Sequence, residues 1–414
     1  MRTEHGPLQH LRVLELGSLI AGPFAGQLLG DYGAEVIKVE PPTGAPMRTW
    51  GVCHEGEGLW WTSIARNKAS VVLDLRTAGG QAAARRLAVS ADIVIENFRP
   101  GQVEAWGLGY DDLVADNPGL ILVHVSGYGR TGPRAAEAGF GSIGEGMGGI
   151  RHTTGPADGP SSRTGISLGD SLSGMFAVIG ALAAVAERAE SGRGQEVDVA
   201  LYEAVAALME SSLADAEVAG VVRGRSGGVL PGVAPSNAYP TADGAEVLIA
   251  GNAQSVYARL CEAMERPELV TDDRFATHED RGRNAEELDA LIGAWTATGS
   301  ADDLLTLLAD HGVPSGRVYT ARDALADPHY LARGMVQRLT STGGTTMPVT
   351  GVVPRFSRTP GTIRTPGPEL GAHDHLAHGP LDDGVDDGVD DDAADHLTDD
   401  LAAASGVRTA QDGA

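Results

Sequence analysis

The sequence predicts an α/β protein built on a parallel sheet with helices on both faces, and three observations carry that prediction. Residues 11–42, "LRVLELGSLIAGPFAGQLLGDYGAEVIKVEPP", read as strand, Gly-containing turn, helix and strand, which is a βαβ unit. The runs "ADIVIENF" (91–98) and "GLILVHVSGYG" (119–129) are short, continuously apolar and end in polar residues or Gly, as strands buried on both faces do. The helical stretch "QAAARRLAVS" (81–90) precedes the first of them, so strands alternate with helices as a parallel sheet requires.

Further along, Gly169 to about Arg188 reads as a long helix closed by the turn "SGRG" (191–194), and "EVDVALYEAVAALMESSLADAEVAG" (196–220) as a strand and a helix. The Gly/Pro-rich "RGRSGGVLPGVAPSN" (223–237) reads as a linker and loop into a second region. There "AYPTADGAEVLIAG" (238–251) has a hairpin pattern. "SVYARLCEAM" (255–264), "AEELDALIGAWTAT" (285–298) and "SADDLLTLLADHG" (300–312) are helical, and "GMVQRL" (334–339) and "TTMPVTGVVPRFS" (345–357) return to strand character.

A chain of 414 residues exceeds what one compact core usually holds, so two domains are expected. Cys53 and Cys261 lie far apart with no C-x-x-C pair, which argues against a disulfide framework or a cysteine zinc site and fits a reducing cytoplasm. No secretory signal pattern opens the chain. The longest charge-free apolar stretch, about Ser171 to Ala186, is shorter than the roughly 20 residues that span a bilayer, so no membrane association is expected. The net charge is −25, and the segment from Leu381 onward, with eleven Asp and Arg408 alone, carries −10 of it. Nucleic acid is therefore excluded as a partner, and residues 381–414 read as an acidic, disordered, low-complexity tail. Lysine occurs only at Lys38 and Lys68, so an anionic ligand has to be met by local arginines.

"GFGSIG" (139–144) matches the G-x-G-x-x-G pattern of dinucleotide sites, but the strand before it ends near Ser126 and the acidic candidate, Asp158, lies in a loop. The context of that fingerprint is missing. "HDHLAH" (373–378) has metal-like density of histidines, yet it leads into the acidic tail and reads better as a solvated segment; no metal site is expected.

Asp170 is the one charge within "GISLGDSLSGMFAVIGALAA" (165–184). An acid in the first turn of a helix is favoured by the helix dipole, and capping alone would explain it. Gly165, Gly169 and Gly174 also allow close backbone approach of a ligand. A helix terminus lowers the pKa of a carboxylate, which would keep Asp170 ionised as a nucleophile. Attack of a carboxylate on an acyl group gives a mixed anhydride, which needs a good leaving group such as a thiolate. The chemistry therefore suits a thioester.

With those segments in place, the chain resembles the class III coenzyme A transferases of the CaiB/BaiF type, which include formyl-CoA:oxalate transferase and carnitine CoA-transferase, with α-methylacyl-CoA racemase as a relative. The resemblance covers about residues 8–372 and is carried by the first βαβ segment, "RNKASVVLDLRTAGG", "ADIVIENFRPG", "VSGYGRTGP", "GISLGDSLSGMFAVIGALAA", "SGRGQEVDVALYEAV", "DDRFATHEDRGRNAEELDALIGAWTA" and "HGVPSGRVYTARDALADPHYLARGM".

The resemblance implies a Rossmann-like large domain in two pieces, residues 1–222 and 323–380, around a smaller α+β domain at 223–322, and a homodimer of interlocked subunits. It implies that Asp170 carries first the acyl group as an anhydride and then CoA as a thioester, with CoA as substrate and product and no permanently bound cofactor. The CoA contacts fall on Ile20, Ala21, Leu73, Asp74, Leu75, Arg76, Asn97, Phe98, Arg99, Ala138 and Phe140. Pro41 and Ala105 stand where basic residues are common in the family, so Arg48, Arg76 and Arg99 become the candidates for the CoA phosphates. Phe140 and Gly141 stand where the racemase branch has its His and Asp, and "IAGNAQSVY" supplies Asn252 and Ala253 but no Glu, so proton abstraction lacks its bases. The formyl-CoA branch carries a glutamate near Gly141 and a run of glycines in a substrate loop, of which only Gly227 and Gly228 remain here. The expected reaction is CoA transfer from an acyl-CoA such as succinyl-CoA to a carboxylic acid, with malate or a related branched acid as acceptor.

Overall fold

In a computed structural model that describes residues 6–377, six parallel strands form the main sheet. They are β1 (Arg12–Glu15), β2 (Glu35–Glu40), β3 (Lys68–Val72), β4 (Ile93–Glu96), β5 (Ile121–Ser126) and β6 (Glu196–Ala200), in the order β3-β2-β1-β4-β5-β6. The helices that build the site are α1 (Ala21–Asp31), α2 (Ala78–Val89), α3 (Gly141–Met147) and α4 (Leu168–Ser191).

Successive residues of a strand point to opposite faces, and the core divides accordingly. Val13, Val36, Ile93, Ile95, Ile121, Val123 and Val125 pack on one side with Ala25, Leu29 and the α4 stripe Ala177, Ala181, Ala184. Leu14, Ile37, Val39, Val71, Val94 and Leu122 pack on the other with Ala84, Leu87 and Ala88 of α2. By length and composition α4 could cross a bilayer, but its small-residue stripe lies on the sheet and against α1. Gly174 makes that approach possible, since a Cβ there would lie 2.8 Å from the Ala21 carbonyl oxygen.

Strand β3 escapes the hydrophobic pattern because it opens on a lysine that the fold buries. Lys38 and Lys68, the chain's only lysines, both face Glu15 at 2.8 and 2.7 Å in the interior. Their ammonium groups also donate to the carbonyls of Gly17 (2.8 Å) and Pro23 (2.6 Å), which ties the turn between β1 and α1 to the sheet.

The expected single helix after β6 is two short ones, Leu201–Ala206 and Ser212–Val218, separated where Glu210 takes φ 51° and Arg223 gathers Glu210, Ser211 and Asp215. A second core holds Tyr239, Val247, Ile249, Leu260, Phe275, Leu288, Ile292 and Leu308 under the antiparallel strands β7 (Ser236–Pro240), β8 (Glu246–Ala250) and β9 (Ser315–Arg317). After the hairpin of β10 (Val336–Thr340) and β11 (Thr346–Thr350), the chain returns to the main sheet.

That return corrects the reading of "HDHLAH" as solvated. A parallel sheet leaves the N–H groups of its edge strand unpaired. Here Val72 N–H donates to Asp374 (2.7 Å), Ser70 N–H meets His373 Nδ1 (3.3 Å), and His373 N–H donates to the Ser70 carbonyl (2.9 Å). His378 and the acidic segment 381–414 lie outside the described residues.

Candidate active site

The chain runs outward from β1 to β3 on one side and then back through β4 to β6 on the other, so β1 and β4 flank the point where the strand order reverses. In open parallel sheets ligands bind beyond the carboxyl ends of the strands at that point. Every CoA-contact candidate leaves a carboxyl end: Ile20 and Ala21 after β1, Arg48 after β2, Leu73 to Arg76 after β3, Asn97 to Arg99 after β4, and Ala138 and Phe140 after β5.

Two of these segments are clasped together. The Asn97 side chain accepts from Ser18 N–H and donates to Ser18 C=O, both at 2.8 Å. The clasp holds Leu19 at φ 61°, a conformation that costs a bulky L-residue roughly 1–2 kcal/mol. Ile20 and Ala21 are buried in the fold, whereas Arg99, Ala138 and Phe140 are exposed. Glu96 accepts from Phe98 N–H at 2.7 Å, which fixes the start of the second segment.

The three arginines proposed for the CoA phosphates differ. Arg48 is engaged within the fold: its Nε and Nη2 each donate to buried Glu40 at 2.7 Å, and its guanidinium lies 4.0 Å from the Trp61 ring centroid. Arg76 is exposed and pairs with Asp74 at 2.9 Å. Arg99 is exposed and has no side-chain partner among the described residues.

Asp170 occupies the first turn of α4, and its carboxylate rests on Gly141 at the start of α3, where a Cβ would lie 2.1 Å from Oδ2. The glycines of "GFGSIG" are therefore packing devices: Gly139 meets the Gly127 backbone, Gly141 meets Asp170, and Gly144 meets Leu201. No strand directly precedes them, in agreement with the missing dinucleotide context.

The expectation of a lowered Asp170 pKa is corrected. Burial, and then the negative charge of Glu145, push the carboxyl up from the ordinary 3.8 to about 6, while Arg163 pulls in the opposite direction. Desolvation outweighs the helix dipole here because the half-buried carboxyl group packs between α3 and α4. Near neutral pH the group is still ionised.

Glu145 was absent from the sequence reading. It is 1% exposed on α3, accepts from Gly169 N–H at 3.4 Å, and its other oxygen lies 3.6 Å from Arg163 Nε without an aligned hydrogen bond. The available signal was its place four residues after Gly141, one helical turn along the face that meets Asp170, as the lone charge of "GSIGEGMGG". Gly227, a substrate-loop candidate, donates its N–H to Gly155 C=O at 3.1 Å, which joins that loop to the one leading to Asp170; Gly228 lies against the Asn237 side chain.

Residues 8–374 match the model of CoA-transferase family III. The chain is 54% identical over 370 residues to succinyl-CoA–D-citramalate CoA-transferase of Chloroflexus aurantiacus, covering 89% of this chain and 92% of that one. It is 36% identical to succinate–glutarate CoA-transferase of Agrobacterium fabrum, covering 89% and 94%. Among solved structures it superposes on a CaiB/BaiF family protein from Brucella suis with a TM-score of 0.79 at 36% identity, covering 90% of this chain and 98% of that one.

Proposed function

This chain belongs to CoA-transferase family III, and on that premise we propose that it moves CoA from succinyl-CoA to a branched or hydroxylated dicarboxylic acid through covalent intermediates on Asp170. Four displacements complete the cycle. The Asp170 carboxylate attacks the thioester carbonyl, the C–S bond breaks, and CoA leaves as thiolate from a mixed anhydride. The thiolate attacks the aspartyl carbonyl and releases succinate, which leaves an aspartyl thioester. The acceptor carboxylate displaces the thiolate in turn, and the thiolate then takes the acceptor acyl group and restores Asp170. No water, net proton, metal or resident cofactor enters the balance.

The observation that supports this reading best is the seat of Asp170. Its carboxylate belongs to a half-buried residue, lies on a residue without a side chain, and has a pKa raised to about 6, so it is ionised near neutral pH yet partly desolvated. Burial protects the anhydride from hydrolysis. The acceptor class rests on the names of the relatives, which act on citramalate and malate. A large domain of residues 1–222 and 323–380, a small domain of 223–322, a cytoplasmic location and an interlocked homodimer are part of the same proposal. Leu213, Val218, Val221 and Val222, each more than half exposed, are the surface a second subunit would cover.

The test is to incubate the protein with succinyl-CoA, add hydroxylamine or borohydride, and map the modification by mass spectrometry. Modification is expected at Asp170 and lost in Asp170→Asn; a protein that turns over donors without an adduct at Asp170 would refute the route.

A further inference from the structure

Arg225 combines a buried guanidinium nitrogen with the lack of any partner for it among the described residues. In a protein of net charge −25, most described arginines meet a carboxylate or a carbonyl. The buried Arg225 Nε has no hydrogen-bond partner, and no other atom of its guanidinium makes a hydrogen bond or ion pair among the described residues. Leaving a buried donor unpaired carries a desolvation cost that an anionic ligand would remove.

Its position gives the ligand. The Arg225 side chain crosses Gly155, where a Cβ would lie 3.1 Å from Arg225 Cδ and 3.0 Å from Ser162 Oγ. The loop 225–228 is joined there to the loop 155–163, which ends at Arg163 and leads within seven residues to Asp170. Arg163 lies within Coulombic reach of Asp170, and its one ion pair among the described residues is the 3.6 Å approach of its Nε to Glu145. Its two terminal nitrogens make no hydrogen bond among the described residues. No carboxylate among the described residues pairs with Arg225, so a carboxylate arriving beside Gly155 meets an unfilled guanidinium fork.

We propose that the two loops meeting at Gly155 form the subsite for the distal carboxylate of a dicarboxylic acyl group, with Arg225 as its principal ligand and Arg163, tethered by Glu145, as the second. This rests on Asp170 as the point of acyl attachment and names the feature that selects a diacid. Planar bidentate recognition of a carboxylate suits arginine, and a monocarboxylic acyl group would leave the fork unpaired.

The experiment compares succinyl-CoA with butyryl-CoA, which has a methyl group in place of the distal carboxylate, in the full-length protein and in Arg225→Gln, Arg225→Lys and Arg163→Gln. The ratio of kcat/KM for the two donors is expected to fall on the order of 100-fold in Arg225→Gln, less in Arg163→Gln, and to recover in part in Arg225→Lys. An unchanged ratio in Arg225→Gln overturns the subsite, whatever the absolute rates. Adduct formation at Asp170 with either donor is followed in the same samples. An adduct with an unchanged ratio removes only this inference, whereas no adduct in the unsubstituted protein removes the Asp170 route itself.

Discussion

Replacing Gly141 by alanine sets catalysis and stability against each other. The added Cβ would lie 2.1 Å from Asp170 Oδ2 and 2.7 Å from its Cγ, more than 1 Å inside ordinary carbon–oxygen contact. The obstructed group is the end of a side chain, so Asp170 rotates away while the backbone stays. Gly141 opens helix α3 without a positive φ, so alanine fits the backbone and is favoured there by up to about 1 kcal/mol. A displacement of about 1 Å at the reacting atom costs roughly 100-fold in rate. The expected outcome is kcat for succinyl-CoA lowered about 100-fold with Tm equal or higher, measured by acyl-CoA exchange and by calorimetry. A Gly141→Ala protein with kcat within threefold of the unsubstituted one would refute the argument that Asp170 needs the space over Gly141. A large fall in Tm would show that the overlap is relieved by the backbone instead.

Glu145→Gln removes the second cause of the raised Asp170 pKa while burial, the first, remains. In the proposed route Asp170 reacts as the anion, so kcat/KM should fall as pH drops through about 6, and this acidic limb should move to lower pH in the variant; a limb that stays or rises contradicts the assignment. Asp170→Asn should abolish adduct formation yet stabilise the fold. A pKa raised in the folded state means that stability present at low pH is lost as pH rises through about 6, so the gain should be on the order of 2 kcal/mol above pH 6 and vanish near pH 4, as read by urea titration. For the CoA phosphates, Arg99→Glu should raise the KM for acyl-CoA with little change in Tm, whereas Arg48→Met should lower Tm because buried Glu40 loses its cation. Glu15→Gln leaves Lys38 and Lys68 buried without a countercharge and should cost about 3–5 kcal/mol in denaturant unfolding.

The sequence by itself determined the doubly covered parallel sheet, because apolar runs and helical periods are local properties that survive without knowledge of partners. It also singled out Asp170, through its isolation at the head of an apolar helix and its family context. What it could not supply was everything that depends on which distant residues meet. Strand Lys68–Val72 was invisible to hydrophobic patterning because its lysine is paired with Glu15 across the sheet. "HDHLAH" looked solvated because its partners, the edge N–H groups of Ser70 and Val72, lie some 300 positions away. That Arg48 pairs with Glu40 is likewise a tertiary fact. The pKa of Asp170 follows the same rule: the helix dipole is written in the local sequence, but desolvation and the charge of Glu145 exist only once α3 folds against α4. Local periodicity therefore decided the architecture, and tertiary contact decided the charge state and surroundings of the group that would do the chemistry.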